Sequence, residues 1–308
     1  MAAIRMATLT DIGGSTENQD RSFVSEATGT LGVFDGHGVT GSLAAETVCA
    51  LFAAGAAAGA AAAAAAEPSA LFAEAEAALP TATTDGGTTA SLLRINRETG
   101  DILFAHVGDS EGRLFTDIGT EGIGLCADHT PLSVSEFERM NRTHGTPPSG
   151  FRFSGGSYRN VFMPTAEGGY RVSPLGGFTY CDVRNSWSAY VHSRGGRRLA
   201  VTRAIGDFDM KSTGVIAEPS VTTVTAGDKD KVKAIVVASD GFWDGMQYTD
   251  VSNIVCRPDL LLSLNAGAAV AELMEVGKRT NTALFGTETD NITVAVAYVS
   301  LASLASLA

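Results

Sequence analysis

Cysteine is scarce in this chain of 308 residues, and Cys49, Cys126, Cys181 and Cys256 form no close pair. That spacing excludes a zinc knuckle and implies no disulfide framework, which leaves buried reduced thiols as the reading. Basic side chains are also few: 22 Lys and Arg stand against 34 Asp and Glu, a formal charge of −12. A general nucleic-acid binder displays a basic surface, and this balance argues against that class. The opening MAAIRMATLTDIGG has no continuous apolar segment before Asp11, unlike a secretory leader. The longest uncharged run, at 47–66, is mostly Ala and Gly, with little of the Leu, Ile and Phe that favour membrane insertion. No transmembrane segment is expected. Cytoplasm is the default location, with a nuclear or peripherally membrane-associated one left open.

What the chain does contain is a large apolar fraction, 44%, enough for a substantial core. LGVF at 31–34, TTASLLRI at 88–95, ILFAHVG at 102–108 and GRLF at 112–115 read as strands, as do VTTV at 221–224, KAIVVAS at 233–239 and ITVAVAYV at 292–299. Helices are expected near 42–66 through the alanine run, at 69–79 after Pro68, at 249–255 and at 266–280. Ser133 and Glu136 have capping-box spacing for a short helix ending near His144. Residues 145–198 are rich in Gly, Pro, Ser and aromatics and predict a long irregular, flap-like insertion. The closing LASLASLA reads as a peripheral tail or helix. Strands and helices do not alternate regularly, which favours a layered α+β fold over a doubly wound sheet. Nothing marks a linker, so residues 1–308 are expected to form a single catalytic domain.

Four aspartate-centred runs carry the chemistry: NQD at 18–20, FDGHG at 34–38, SDG at 239–241 and TDN at 289–291. The last three adjoin apolar runs, so Asp35, Asp240 and Asp290 stand at strand ends, where side chains distant in sequence converge. Carboxylates gathered closely raise one another's pKa unless a cation compensates them. Hard divalent ions such as magnesium and manganese prefer such oxygen ligands. Asp20, Asp35, Asp240 and Asp290 therefore read as one metal cage, and the chain as a hydrolytic enzyme. Gly36 and Gly38 permit a tight turn that brings a carbonyl near a metal, and His37 between them is suited to protonate a departing alkoxide.

These runs sit among further blocks: ENQD at 17–20, VFDGHG at 33–38, GGTTA at 86–90, AHVGDS at 105–110, ADHTP at 127–131, AVTRAIGD at 200–207, VVASDGFWDGM at 236–246 and TDNITV at 289–294. In this order they resemble the metal-dependent serine/threonine protein phosphatases of the phosphatase 2C type. The resemblance implies a four-layer α-β-β-α sandwich, with a central β-sandwich and a dimetal site at one end. It implies two Mg2+ or Mn2+ ions and a weaker third. Asp35 would bridge the first two, the Gly36 carbonyl would touch the second, and Asp240 and Asp290 would complete the first. Asp20, with Gln19 beside it, would act close to the cage, and Asp109, assisted by Asp240, would hold the third ion. His37 corresponds to the general acid, and Asp207 and Asp244 to supporting residues. A bridging water would attack the phosphorus of a phosphoserine or phosphothreonine in a phosphoprotein, without a phosphoenzyme.

Two positions depart from the family pattern. Ser15 stands where an arginine usually contacts the phosphate, and Glu111 stands where arginine commonly follows the GDS block. Serine lacks the charged bidentate fork of arginine, so phosphate recognition is open to another donor; Arg5, Arg21, Arg152, Arg159 and Arg171 are candidates. A phosphoprotein-binding pseudophosphatase and a small phosphate-ester phosphatase remain as alternative readings.

Overall fold

The computed structural model describes residues 2–57, 67–80, 85–144, 151–153, 159–172, 189–193, 195–225 and 233–300. Strands β1 (Ala3–Asp11), β2 (Arg21–Ser25), β3 (Thr30–Phe34) and β4 (Gly36–Gly38) lead into helices α1 (Gly41–Ala57) and α2 (Pro68–Ala78). Strands β5 (Gly86–Thr88), β6 (Ala90–Ile95), β7 (Ile102–Val107), β8 (Gly112–Phe115) and β9 (Ile123–Gly124) precede α3 (Val134–His144). The insertion contributes β10 (Phe151–Phe153), β11 (Arg159–Asn160), β12 (Phe162–Pro164), β13 (Tyr170–Val172), β14 (Ala189–His192) and β15 (Arg198–Leu199). Then follow β16 (Ile205–Gly206), β17 (Ser220–Val224), β18 (Lys233–Ala238), α4 (Asp240–Trp243), α5 (Tyr248–Val255), α6 (Pro258–Ser263), α7 (Ala266–Phe285) and β19 (Ile292–Ser300).

Two antiparallel five-stranded sheets, ordered β1-β19-β18-β8-β9 and β17-β7-β6-β3-β2, form the centre. Alternation along each strand sends side chains to opposite faces. Ile235, Val237, Ala295 and Ala297 from the first sheet meet Leu31, Val33, Leu93 and Phe104 from the second in one buried layer. The other face of the first sheet, through Val236, Val294 and Tyr298, packs on Phe242, Leu260 and Leu273 of the C-terminal helices. The other face of the second sheet, through Phe34, Leu92 and Ala105, packs on Val48, Phe52 and Phe72 of α1 and α2. The result is an α+β arrangement with helices outside two facing sheets, as the sequence predicts.

Several local expectations need correction. The alanine-rich helix is described only as Gly41–Ala57, and 58–66 lie outside the described residues, as does 301–308. The run 88–95 is not one strand: Gly86–Thr88 pairs with β4 and β16, and only Ala90–Ile95 joins the large sheet. The glycine turn after Asp35 is accordingly a short strand. No capping box forms at α3. Ser133 Oγ lies 3.0 Å from Ser135 Oγ, while Glu136 turns inward to Arg139, Arg203 and Thr202. Stronger charged partners outcompete the backbone amide for that carboxylate. The insertion is less irregular than its composition suggests, with a four-stranded sheet β11-β10-β14-β15 and a hairpin β12-β13. Val161, Phe162, Val191 and Leu199 seat it on Phe137 and Met140 of α3. Cys49, Cys126 and Cys256 are free thiols, and Cys181 lies outside the described residues. Among the described residues no helix is long and apolar enough to cross a membrane.

Candidate active site

The site forms where the ends of both large sheets meet. Every residue of β3 is buried, which fixes Asp35 at its end. The Asp35 amide donates to Thr89 Oγ1 at 3.0 Å, and its carbonyl accepts from the Thr89 amide at 2.8 Å and from Thr88 Oγ1 at 3.0 Å. Gly36 is required by crowding: a Cβ there would lie 2.4 Å from the Gly41 carbonyl oxygen. Asp240 opens α4 directly after β18. The following Gly241 lies so close to the other acidic loop that a Cβ would be 2.0 Å from the Asn291 carbonyl oxygen.

Asn291 and Ser239 gather the remaining acids. The Asn291 side chain accepts from the Gln19 amide at 2.8 Å and donates to the carbonyls of Ile12 and Glu17 at 2.9 and 3.0 Å. This draws the N-terminal loop, with Asp20, against the loop carrying Asp290. Ser239 Oγ donates to Asp20 Oδ2 at 2.8 Å and accepts from the Thr293 amide at 3.0 Å. Gln19 Nε2 donates to the Gly38 carbonyl at 3.0 Å, tying the first two acidic runs together.

Asp35, Gly36, His37, Asp109, Asp240 and Asp290, together with Gln19, line one cavity of about 600 Å³. The electrostatics are those of crowded carboxylates. Burial, followed by the charges of Asp20, Asp240 and Asp290, raises the Asp35 carboxyl well above its ordinary value. Burial and neighbouring Asp240 and Asp290 outweigh hydrogen bonds from Thr293 and Ser239 and put Asp20 at about 7. Asp109 is raised by burial, then by Asp240, Asp128 and Asp244; Asp290 is raised by burial and by Asp240. Among the described residues no three His, Cys, Asp or Glu side chains are gathered so as to hold one ion. Asp35, Asp109, Asp240 and Asp290 face the cavity from separate elements. Their chemistry nonetheless fits divalent cations. All the donors are oxygens, and Asp20 Oδ1 and Asp240 Oδ1 are buried with no hydrogen-bond partner.

His37 is half-buried on β4, with Nε2 2.7 Å from Asp207 Oδ2. Asp207 is fully buried and has φ +51, a left-handed conformation that is uncommon outside glycine. Burial pushes its carboxyl up, but His37 and Arg197 outweigh that and hold it below the ordinary value. Arg197 Nη2 donates to Asp207 Oδ1 at 2.5 Å. Asp244 is exposed at the C-cap of α4 and does not line the cavity, although its charge reaches Asp109.

Ser15 is exposed on the N-terminal loop and is not among the cavity-lining residues. Glu111 is buried, 3.2 Å from Arg113 Nη1, and accepts from Tyr248 Oη at 2.9 Å. It therefore serves an internal network. Of the proposed replacement arginines, Arg5 reaches Glu26 and Arg21 donates to the Asn18 and Asp20 carbonyls. Arg171 is exposed on β13. The side chains of Arg152 and Arg159 lie outside the described residues. Sequence reasoning missed Arg197, Arg198, Asp85 and Thr89, which all line the cavity. Thr89 lies within the GGTTA block and could have been found there; nothing in the sequence separates Arg197 from the other arginines of the insertion.

A family model described as "Protein phosphatase 2C" matches residues 17–258. The rice (Oryza sativa subsp. japonica) protein "Probable protein phosphatase 2C 12" is 30% identical over 161 residues, covering 51% of this chain and 33% of its own length. The chain thus spans about a third of that relative. Among solved structures, a serine-threonine phosphatase 2C from Toxoplasma gondii aligns with a TM-score of 0.66 at 18% identity, covering 96% of this chain and 95% of that one. The catalytic domain of the serine threonine protein phosphatase PstP, in complex with two manganese ions, aligns with a TM-score of 0.54 at 19% identity, covering 97% and 100%. At these identities the structures share the fold. Through the family match over residues 17–258, the chain belongs to the protein phosphatase 2C family.

Proposed function

We propose that this chain hydrolyses phosphoserine and phosphothreonine in proteins with the help of divalent cations. The observation that carries the reading is the cavity that brings Asp35, Asp109, Asp240, Asp290 and His37 together from four separate parts of the chain. The pairing of β1 with β19 joins both ends of the chain in one sheet and supports 1–308 as a single catalytic domain. Phosphoproteins are the substrate partners, and a cytoplasmic location is the working expectation.

Asp35 would be shared by two ions, Asp240 and Asp290 would complete the first, and the Gly36 carbonyl would serve the second. Asp20 and Gln19 support this cage, and Asp109 with Asp240 would hold a weaker third ion. Bound Mg2+ or Mn2+ supplies Lewis-acid charge for phosphoryl oxygens and acidifies water, as the family's dimetal chemistry requires. The protein's own contributions are positional. Asp35, Asp109, Asp240 and Asp290 present oxygen donors to the cavity, suited to the cations that phosphate binding there would need. His37 stands at the cavity wall, where it can give a proton to the seryl or threonyl oxygen as its bond to phosphorus breaks and water forms the new one. No side chain is required as nucleophile.

The reading is tested by phosphate release from phosphoserine and phosphothreonine peptides, and from small phosphate monoesters, with Mg2+, Mn2+ or chelator. Metal-dependent turnover that favours peptides is expected. Turnover of small esters alone would identify a small-ester phosphatase, and tight phosphopeptide binding with no turnover would identify a scaffold. The placement of Ser15 outside the cavity lining is the observation that keeps this last reading under test.

A further inference from the structure

His37 can act as an acid only in its doubly protonated form, with one N–H held and the other presented to the leaving oxygen, and the structure shows how the first is held. His37 and Gly206 flank Gly87 across the small sheet, through the pairs His37↔Gly87 and Gly206↔Gly87. A Cβ at Gly87 would lie 2.3 Å from Asp207 Oδ2, so only glycine leaves room for that carboxylate against the imidazole. Asp207 is anchored there by its backbone amide, which donates a hydrogen bond to the Gly86 carbonyl at 2.9 Å. Its left-handed backbone, φ +51, is a strain that persists where surrounding structure over-determines it. One carboxylate oxygen takes the imidazole and the other takes the Arg197 guanidinium.

We infer that Arg197 is a positioning residue for the general acid: it clamps Asp207 so that Asp207 fixes the orientation and tautomer of His37. The charge balance around Arg197 separates this role from that of a phosphate clamp. Its guanidinium also pairs with Asp85, 3.3 Å away, and with Asp209, so three carboxylates already face it. Little net positive charge is left for a phosphate dianion. Without Arg197, Asp207 would be a buried carboxylate with one oxygen uncompensated, free to turn or to draw the imidazole proton to itself. Arg197 is delivered by the turn between β14 and β15, where its amide donates to Ser193 Oγ at 3.1 Å and its carbonyl accepts from the Ser193 amide at 3.0 Å. The insertion is thereby built into the acid's support. The assignment rests on the phosphatase reading above.

Leaving-group chemistry provides the test. A phosphoserine peptide needs its alkoxide protonated, whereas p-nitrophenyl phosphate releases a stable phenolate that does not. Arg197→Gln should lower the ratio of peptide to aryl-ester turnover about tenfold, a smaller loss than the 10²–10⁴-fold contribution of a general acid itself. Arg197→Lys, which keeps one charged contact, should recover part of that ratio. In a His37→Ala background, Arg197→Gln should change the ratio no further. Equal losses on both substrates, an unchanged ratio, or an undiminished effect without His37 would overturn the assignment. The second readout needs neither metal nor turnover: at a pH high enough to leave the ring neutral, imidazole ¹⁵N shifts of the labelled protein should show a single His37 tautomer protonated at Nε2, averaged between tautomers in Arg197→Gln. An identical spectrum in the two proteins would also overturn it. If the wild-type protein turns over neither substrate, the phosphatase reading fails while the tautomer measurement still decides the role of Arg197.

Discussion

Ser15 and Glu111 occupy two places where the family pattern expects arginine, and the structure treats them differently. Glu111 is drawn inside, between Arg113 and the Tyr248 hydroxyl, with the Arg113 guanidinium 3.5 Å over the Tyr248 ring. Its substitution is absorbed by packing. Ser15 is exposed on a loop held rigidly to the acidic loop opposite: Gly13 has φ +61, and a Cβ there would lie 2.0 Å from the Asp290 carbonyl oxygen. A long side chain at position 15 therefore extends from a fixed base beside Asp290. Ser15→Arg is expected to lower the KM for a phosphoserine peptide several-fold with kcat little changed, the pattern of added uniform binding. Steady-state kinetics at saturating Mn2+ would show it; an unchanged KM would mean that the phosphate is already held by another donor. Arg197 illustrates a different limit at this scale. Its importance lies in the three carboxylates it meets, which come from positions 85, 207 and 209, and no spacing along the chain reveals that convergence.

Strands whose every residue is buried were legible in the sequence, and so was the half-exposed β17 through VTTV at 221–224, whereas β1 was not. β3, β18 and β19 read as apolar runs because every residue of each is buried. Their ends carry Asp35, Asp240 and, one residue before β19, Asn291, which is why the acidic runs could be placed from sequence. β1, with the sequence AIRMATLTD, alternates buried and half-exposed residues and mixes in Arg5, Thr8 and Thr10, so its register with β19 emerges only from pairing. The α3 capping box failed because Glu136 is claimed by a tertiary cluster. Arg203 Nη2 and Arg139 Nη2 donate to it at 2.6 and 2.7 Å, and Thr202 Oγ1 at 2.9 Å. Burial raises the Glu136 pKa, but the two arginines prevail and hold it at about 2, against an ordinary 4.5. The sign follows from linkage: the stabilisation is fully present above about pH 4.5 and is lost as pH falls toward 2. Glu136→Gln should cost about 3 kcal/mol in urea unfolding at pH 7, as for other broken buried pairs. The difference from wild type should shrink as pH falls from 5 to 2. A constant difference across that range would contradict the ion-pair account.

At the scale of the molecule, the sheets serve to bring acids from opposite ends of the chain to one cavity. β1 and β19 share nine register pairs, from Ala3↔Ser300 to Asp11↔Ile292, and the loops beyond them carry Asp20 and Asp290. Asn291 then stitches those loops together through three hydrogen bonds. The cost of this convergence is burial and, after it, repulsion, which together raise the Asp20, Asp35, Asp109 and Asp290 carboxyls. A cation that binds the folded protein relieves that repulsion and stabilises the fold by mass action. Asp240 is central because its charge bears on Asp20, Asp35, Asp109 and Asp290 alike. The most direct measurement is therefore phosphate release from a phosphoserine peptide as a function of Mn2+ concentration, in wild-type protein and in Asp240→Asn. The account predicts turnover that is abolished by chelator, restored by Mn2+, and at limiting metal at least a hundredfold lower in the variant, the scale of losing a group that holds a catalytic ion. Equal turnover by the two proteins across the metal titration, or turnover undiminished by chelator, would contradict it.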